Sequence, residues 1–351
     1  MRNKDQKVVN LALQGGGSHG AYAWGVIEQL IDDGRIDIDS LSGTSAGAMN
    51  AVVYAYGRMK NGPQGAKEAL HNFWYEVSKI GNGFKLVYHN HVQKFMNHWN
   101  ADRNPSFLWF QMITRLFSPY EWNPLNINPL KDVLEKCVNF EELKLCECAN
   151  IFIGTTCVRT GKVQVFHNKS ITADVVMASS CLPTLFQSVK IGNDCFWDGG
   201  FSGNPPLFPL ISRSKSRDVI IVHINPMVRE EIPDRPLEIM NRMNEIAFNS
   251  SLLKELRAIS FVIKLLDEEW LKEEYRGKLR HLLIHSIHAD QPLKGLGVSS
   301  KFSTDWGFLT YLRDLGRAEA KRWLKENYDK VGVEATVNLR SEYIDTTSTK
   351  M

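Results

Sequence analysis

The sequence predicts an α/β fold, because two strand–turn–helix units open the chain and strand signals return in its second half. Residues 8–14 form an apolar run that ends in glycines, and the apolar residues of 21–34 then recur at helical spacing. Residues 35–43 alternate apolar and polar side chains before a second glycine turn, and 45–57 is predicted to be a helix that ends at Gly57. The order β-α-β-α is typical of α/β proteins.

An aromatic-rich segment, residues 72–128, follows and is predicted to be an inserted, mostly helical layer. Its aromatic residues are Trp74, Tyr75, Phe84, Tyr88, Phe95, Trp99, Phe107, Trp109, Phe110, Phe117, Tyr120 and Trp122. Such residues either line an acyl channel or lid or simply fill a core.

Strand signals return beyond residue 150. Residues 151–158 and 162–168 alternate like a hairpin, and 219–226 contains a continuous apolar strand. Residues 236–288 are predicted to be helical, and a last helix is expected at 308–327. The apolar face of the first of these helical segments is marked by Met240, Met243, Ile246, Ala247, Leu252, Leu253 and Leu256. A polar and mobile tail is expected over 331–351.

Composition limits the classes of partner. The chain has 351 residues, 43% of them hydrophobic, and a net charge of only +3 without a dense Lys/Arg block, which argues against nucleic acid. A secretory leader and an apolar stretch of about 18 residues are both missing, so the sequence predicts a cytoplasmic or peripheral membrane protein. Export by a route that reads no N-terminal signal stays open.

No metal or cofactor is expected from the cysteine and acidic patterns. The six cysteines are scattered, and the spacing of Cys146 and Cys148 is too tight for the usual zinc pairs. A calcium loop of the D-x-[DN]-x-[DN]-G type does not occur.

The first glycine loop, "GGGSHG", allows two interpretations. Gly15, Gly17 and Gly20 fit the G-x-G-x-x-G pattern of dinucleotide sites, with Asp37 or Asp39 as a ribose-binding acid. The same loop could instead hold the negative charge that develops in a reaction. The loop alone does not decide between them.

The second glycine turn favours catalysis. Gly43-Thr44-Ser45-Ala46-Gly47 is a G-x-S-x-G sequence between a predicted strand and a predicted helix, which is the setting of a nucleophile elbow. The alternative is that Ser45 only caps the helix.

Far downstream, Asp198 begins the turn Asp198-Gly199-Gly200, which either delivers a base to Ser45 or is an ordinary Asp-Gly turn. The order Ser…Asp…His also leaves a histidine-dependent hydrolase open. The histidines in question are His223, His281, His285 and His288.

Taken together, "GGGSHG", "GTSAG" and "DGG" followed by "NPP" resemble the patatin-like phospholipases over about residues 8–225. The resemblance implies a three-layer α/β/α sandwich with a mostly parallel central sheet and a helical insert near 60–130. It also implies a dyad of Ser45 as nucleophile and Asp198 as base, with no catalytic histidine. The domain would cover 1–330, with C-terminal helices at 236–330.

The resemblance further implies that Gly15, Gly16, Gly17 and Ser18 form the oxyanion hole. His19 occupies a position where the family usually has Arg or Lys. Either its charge tunes the oxyanion site, with an ordinary pKa of about 6.5, or the ring only packs against its neighbours.

The implied activity is hydrolysis of fatty-acyl esters of phospholipids or lysophospholipids through an acyl-enzyme, on a lipid or membrane surface. Three alternatives remain: a histidine-dependent esterase, a non-catalytic lipid-binding scaffold and a dinucleotide-binding protein.

Overall fold

The computed structural model describes residues 6–83, 99, 102, 104–229, 231–276 and 278–345. Its strands are β1 (Lys7–Leu13), β2 (Ile36–Gly43), β3 (Asn150–Cys157), β4 (Val163–His167), β5 (Val189–Ile191), β6 (Asp194–Asp198), β7 (Asp218–His223) and β8 (Leu283–His288). Its α-helices are α1 (Gly20–Asp33), α2 (Ala46–Gly83), α3 (Pro105–Leu116), α4 (Pro119–Trp122), α5 (Pro129–Cys137), α6 (Phe140–Leu143), α7 (Ala173–Ser179), α8 (Phe208–Arg213), α9 (Pro236–Asp267), α10 (Glu273–Arg276) and α11 (Trp306–Asn327).

The described strands form one sheet in the order β5-β6-β3-β2-β1-β7-β8, with β4 also paired to β3. Strands β3, β2, β1, β7 and β8 run parallel to one another, whereas β4, β5 and β6 pair antiparallel. The expected mostly parallel central sheet is confirmed. The carboxyl ends of β1, β2 and β7 therefore meet at one edge, where ligands bind in such sheets.

Helices cover both faces of the sheet, so the three-layer α/β/α sandwich is confirmed. Alternate residues of a strand point to opposite faces, and Leu11 and Leu13 of β1 pack with the buried residues of α1, α2 and α11. Ala12 faces the other way, into a cluster with Leu252 and Leu256 of α9. β1 and β7 are mostly apolar because both of their faces are buried, whereas the equally buried β2 carries Asp37, Asp39, Ser40 and Ser42.

Helix α2 does not end at Gly57 as predicted. It continues to Gly83 with a break at Asn61 and Gly62, where Gly62 has φ 58°. A Cβ on Gly57 would lie 2.4 Å from the carbonyl oxygen of Gly65. Gly57 therefore lets two helical segments pack closely and does not stop the helix.

Two predictions for the C-terminal part are wrong. Residues 283–288 belong to β8, which pairs with β7, and not to a helix. The segment after α11 also packs against the sheet, since Val337 and Leu339 are buried and the Thr336 N–H donates to the Ile284 carbonyl at 3.2 Å. Burial between β8 and α9 overrides the polar composition of this segment; residues 346–351 lie outside the described part.

Some aromatic residues of the segment 72–128 are buried and others are exposed to solvent. Trp74 and Phe107 are buried, whereas Trp109, Phe117 and Tyr120 are exposed. The predictions for Phe84, Tyr88 and Phe95 fall outside the described residues. None of the helices in the described ranges is both long and apolar enough to cross a membrane.

Candidate active site

Ser45 occupies a sharp turn between β2 and α2. It has φ 54°, a left-handed conformation that is uncommon for a residue other than glycine and costs about 1–2 kcal/mol. The turn is tight enough that a Cβ on Gly47 would lie 2.1 Å from the Leu13 carbonyl oxygen, and one on Gly43 would lie 2.5 Å from the Gly47 carbonyl oxygen. The elbow glycines thus permit close approach of three backbone segments, and the strained backbone lifts the serine above the sheet edge.

A second serine, which carries no recognisable sequence signal, supports this turn. The Ser45 N–H donates to Ser179 Oγ at 2.9 Å, and Ser179 Oγ donates to the Gly154 carbonyl at 2.6 Å. Ser179 is fully buried at the end of α7. It ties the elbow to β3 and so restrains the position of Ser45.

The pairing of β2 with β3 and of β3 with β6 places Asp198 next to Ser45. Gly43 at the end of β2 is level with Ile153, and Asp198 is paired with Thr155, two residues further along β3. The end of β6 therefore lies beside the elbow. The Ser45 side chain is close enough to the Asp198 carboxyl to lower its pKa.

The environment of Asp198 makes it a stronger base than an ordinary aspartate. Its side chain is 1% exposed, and this burial raises its pKa from 3.8 to about 7, although the Gly200 N–H and the nearby Ser45 side chain act in the opposite direction. The Gly200 N–H donates to Oδ1 at 2.7 Å and fixes the carboxylate. Thr156 Oγ1 donates to the Asp198 carbonyl at 2.8 Å and holds its backbone.

The first glycine loop lies directly against the elbow. A Cβ on Gly15 would be 2.7 Å from the Ser45 Cβ, so only glycine fits there without displacement. The Gly15 N–H, however, donates to Asn204 Oδ1 at 2.8 Å. Gly15 is therefore a spacer in this loop, which corrects its assignment as an oxyanion donor.

Three other backbone donors of the loop are free of such a bond. Within the described residues, the N–H groups of Gly16, Gly17 and Ser18 donate to no acceptor. Gly17 has φ 59°, and the short 3₁₀ turn Gly17–His19 leads into α1. Successive N–H groups at the start of a helix favour an anion.

Polar side chains from distant parts of the chain fix this loop. Gln14 Oε1 accepts from the N–H groups of Ile224 and Asn225 at 2.9 and 3.0 Å, and Asn225 Nδ2 donates to the Gly15 carbonyl at 2.7 Å. Gln14 Nε2 donates to Asn249 Oδ1 at 3.1 Å. Sequence reasoning missed Gln14, Asn225 and Asn249; only Asn204 carried a signal, as the first residue of the "NPP" stretch.

His19 does not carry the charge that one interpretation required. The ring is 4% exposed, shares a hydrogen bond of 2.8 Å with Ser300 Oγ, and contacts the Phe308 ring edge-on. Burial, together with the nearby Lys301 charge, lowers its pKa to about 3. The ring is neutral at physiological pH, so the expectation of charge-dependent tuning is corrected and its packing role is favoured.

The candidate histidines all have other partners. His285 is buried against Asp218 at 3.0 Å, and His281 pairs with Asp267 at the surface at 2.9 Å. His223 and His288 stack on each other, 4.5 Å between ring centroids, and both contact the Tyr343 hydroxyl. Among the described contacts, none of the four joins Ser45 or Asp198.

The acids proposed for a dinucleotide site are far from the glycine loop. Asp37 and Asp39 lie in the first half of β2, and Asp37 pairs with Arg58. Asp37 is six residues before the end of the strand, which is about 20 Å at the usual rise per residue. They cannot hold a ribose at the loop, so this part of the dinucleotide interpretation is wrong.

In the first half of helix α9, polar side chains face the protein interior and apolar side chains are exposed. Asn241, Glu245 and Asn249, spaced four residues apart, face inward and are at least nine-tenths buried. The expected apolar face is correct only further along, since Met243 and Ile246 are exposed at 63% and 54%. An exposed apolar stripe of this kind indicates an interaction surface.

Cations gather on the inner side of this helix, beside the glycine loop. Arg229 forms a bidentate pair with Glu245 at 3.0 and 2.6 Å, and Arg242 contacts the same carboxylate at 3.4 Å. Lys301, whose backbone lies against Gly17, donates to Asn241 Oδ1 at 3.5 Å. The burial of Lys301 lowers its pKa from the ordinary lysine value.

Comparison with solved structures finds distant likenesses. VipD from Legionella pneumophila is 14% identical, with a TM-score of 0.44, and the match covers 97% of this chain and 73% of that one. The structure of SpcU in complex with ExoU from the type III secretion system of Pseudomonas aeruginosa is 16% identical, with a TM-score of 0.33, covering 91% of this chain and 53% of that one. This chain thus spans about half the length of that second match. No curated protein matches the chain by sequence.

The family model of the patatin-like phospholipases matches residues 11–211. The match includes the glycine loop, the elbow and the Asp198 turn, and it supports lipid acyl hydrolase activity. The chain belongs to the patatin-like phospholipase family.

Proposed function

We propose that this protein is a serine acyl hydrolase that cleaves fatty-acyl ester bonds of phospholipids or lysophospholipids through a Ser45–Asp198 dyad. The observation that carries the proposal is the position of Ser45 beside a buried carboxyl whose pKa it lowers, next to a loop whose Gly16, Gly17 and Ser18 N–H groups find no acceptor in the described part of the chain. A nucleophile, its base and donors for an oxyanion are the parts that acyl transfer needs.

In the first half of the reaction, Ser45 Oγ attacks the ester carbonyl while Asp198 accepts the hydroxyl proton. With a pKa of about 7, the carboxylate is a better proton acceptor than an ordinary aspartate and is still largely ionised above pH 7. Asp198 then donates the proton to the departing alcohol, and the acyl group remains on Ser45. In the second half, Asp198 takes a proton from water, which attacks the acyl-enzyme carbonyl. The bond between the acyl carbon and Ser45 Oγ then breaks, Asp198 returns the proton to Ser45 Oγ, and the fatty acid leaves.

The tetrahedral oxyanion is proposed to bind the N–H groups of Gly16, Gly17 and Ser18. Removing one such donor typically lowers turnover about a hundred- to a thousandfold. The hydrogen bonds of Gln14, Asn204 and Asn225 hold these donors in place before substrate binds. This arrangement needs no reorganisation as charge develops on the carbonyl oxygen.

Two features support a lipid substrate. The exposed Met243 and Ile246 on α9 offer an apolar surface for acyl chains or a lipid layer. The guanidinium groups of Arg229 and Arg242 lie on the loop side of the same helix, where they suit an anionic headgroup. A phospholipid combines both kinds of chemistry in one molecule.

The alternatives are less well supported. A histidine-dependent esterase would need a histidine at Ser45, but His223, His281, His285 and His288 have the other partners described above. A non-catalytic scaffold would leave the strain at Ser45 and the burial of Asp198 without a purpose, since a buried ionisable carboxyl is costly.

The test is hydrolysis of a lipid panel by purified wild type, Ser45→Ala and Asp198→Asn. Ser212→Ala, on the exposed face of α8, and Glu255→Gln are matched controls. Glu255 is a partly buried carboxyl whose pKa burial also raises to about 7, but it accepts hydrogen bonds from the N–H groups of Leu207 and Phe208.

We expect both site variants to lose nearly all activity and both controls to retain it. Turnover by a folded Ser45→Ala protein at the wild-type rate would overturn the proposal. Arg242→Gln is expected to raise KM for anionic phospholipids but not for a neutral soluble ester; equal effects on both would remove the headgroup assignment.

A further inference from the structure

Two cysteine side chains meet in the loop between α6 and β3, away from the dyad. The sulfur atoms of Cys146 and Cys148 are 2.9 Å apart. Disulfide-bonded sulfurs lie about 2.05 Å apart, so the pair needs to close by only about 0.9 Å. The sequence pattern gave these residues no role, because their spacing does not suit zinc.

The surroundings of the pair make its two sulfurs chemically unequal. The two sulfurs share a hydrogen bond, and this bond, together with the backbone N–H groups of Ala149 and Cys148, lowers the pKa of Cys146. The same bond and burial raise the pKa of Cys148. Cys146 is therefore the better nucleophile at neutral pH, with a second thiol in contact to complete a disulfide.

Access to the pair favours a small oxidant. Cys146 is 5% exposed and Cys148 is partly exposed. Both sulfurs also lie near the carbonyl oxygen of Ala55, at 3.9 and 3.6 Å, on the helix that begins directly after Ser45. A molecule as large as glutathione would have to displace this packing, whereas hydrogen peroxide would not.

We propose that Cys146 and Cys148 are a reversible oxidation site that hydrogen peroxide converts to an intramolecular disulfide. The Cys146 thiolate attacks one peroxide oxygen, the O–O bond breaks, and the departing hydroxide takes a proton to become water. Cys146 is then a sulfenic acid. The Cys148 sulfur attacks the Cys146 sulfur, the S–O bond breaks, and a second water leaves with the Cys148 proton. Two thiols and one peroxide thus give one disulfide and two waters.

The product is expected to be easily reduced. A disulfide between residues two apart closes a very small ring, and strained disulfides have the higher reduction potentials typical of labile sites. Dithiothreitol should therefore restore both thiols. The proposal does not depend on the hydrolase activity, because it involves neither Ser45 nor Asp198.

The test treats the full-length protein with a small molar excess of hydrogen peroxide, then quenches, denatures, labels with N-ethylmaleimide and digests with trypsin. The tryptic peptide of residues 145–159 carries Cys146, Cys148 and Cys157, so Cys157 is an internal control. We expect three labels before oxidation, one label and the loss of two hydrogens after it, and three labels again after dithiothreitol. Three labels after oxidation, or sulfinic acid at Cys146 without a disulfide, would overturn the proposal.

Two variants separate this site from the other cysteines. In Cys148→Ser, oxidation should stop at a Cys146 sulfenic acid that dimedone traps. Loss of both remaining labels in that variant would instead mean that Cys157 is the partner, and the assignment would fail. Cys137→Ser, a partly exposed cysteine on α5, should behave as wild type.

Discussion

Replacing Asp198 by Asn should stabilise the folded protein at pH 8 while it removes activity. Burial raises the Asp198 pKa from 3.8 to about 7, so between these values the folded state holds the proton more tightly than the unfolded chain. Its contribution to stability is fully present below pH 3.8 and is lost as pH rises through 7. A shift of about 3 units corresponds to a loss of about 4 kcal/mol. Asparagine does not ionise and can still accept the Gly200 N–H bond.

The assay is urea unfolding of wild type and Asp198→Asn at pH 5, 6, 7 and 8. The free energy of unfolding of the variant, relative to wild type, should rise across this range by about 2.5 kcal/mol, because part of the total of about 4 kcal/mol is already lost between pH 3.8 and 5. Glu255→Gln should show a similar trend with activity retained, since burial raises the Glu255 pKa from 4.5 to about 7. Parallel stability curves for wild type and Asp198→Asn would refute the claim that Asp198 is held in a state costly to ionise.

Ionisation of the Asp198 carboxyl should also set the acid limb of the pH–rate profile. Turnover of a soluble ester should rise about tenfold per pH unit below pH 7 and then level off. An acid limb with its midpoint near pH 4 would contradict this. Gly15→Ala should abolish turnover, because the new Cβ would lie 2.7 Å from the Ser45 Cβ; wild-type kinetics would show that the loop can move. Ser179→Ala should lower kcat about tenfold or more with little change in KM, as expected when a nucleophile is misplaced; an unchanged kcat would deny it a positioning role. His19→Arg should lower the melting temperature, because it places a cation beside Lys301. If the ratio of His19→Arg turnover to wild-type turnover were higher at pH 8 than at pH 6, the charge-tuning interpretation would be restored.

Local patterns were sufficient to predict most of the fold. Strand β1, the turn around Ser45 and the hairpin of β3 and β4 are each encoded within short stretches, since glycine turns and apolar periodicity are local signals. The prediction that the helix ends at Gly57 was wrong, because a glycine that allows close helix packing looks the same in sequence as one that ends a helix. Strand β8 was missed because its partner among the described strands, β7, lies about 65 residues earlier in the chain.

In the candidate site, too, residues with a local sequence signal could be predicted and residues that act through long-range contacts could not. Ser45 and Asp198 could be named from their motifs, and the structure brings the two side chains together; their catalytic roles stay a prediction. Ser179, Gln14 and Asn225 could not, because their roles arise from contacts between residues more than a hundred positions apart. The pKa of His19 could not be predicted either, because it depends on the burial of the ring. The position of His19 in the glycine-loop sequence does not show whether its side chain is buried.

The most direct test of the central claim is mass spectrometry of the protein quenched in acid during turnover of a fatty-acyl ester. The dyad mechanism predicts one acyl group on Ser45, within the tryptic peptide of residues 36–58, and its loss in Ser45→Ala. Acylation should be slowed severely in Asp198→Asn and unchanged in Glu255→Gln. An acyl group on another residue, or steady turnover with Ser45 replaced, would contradict the mechanism.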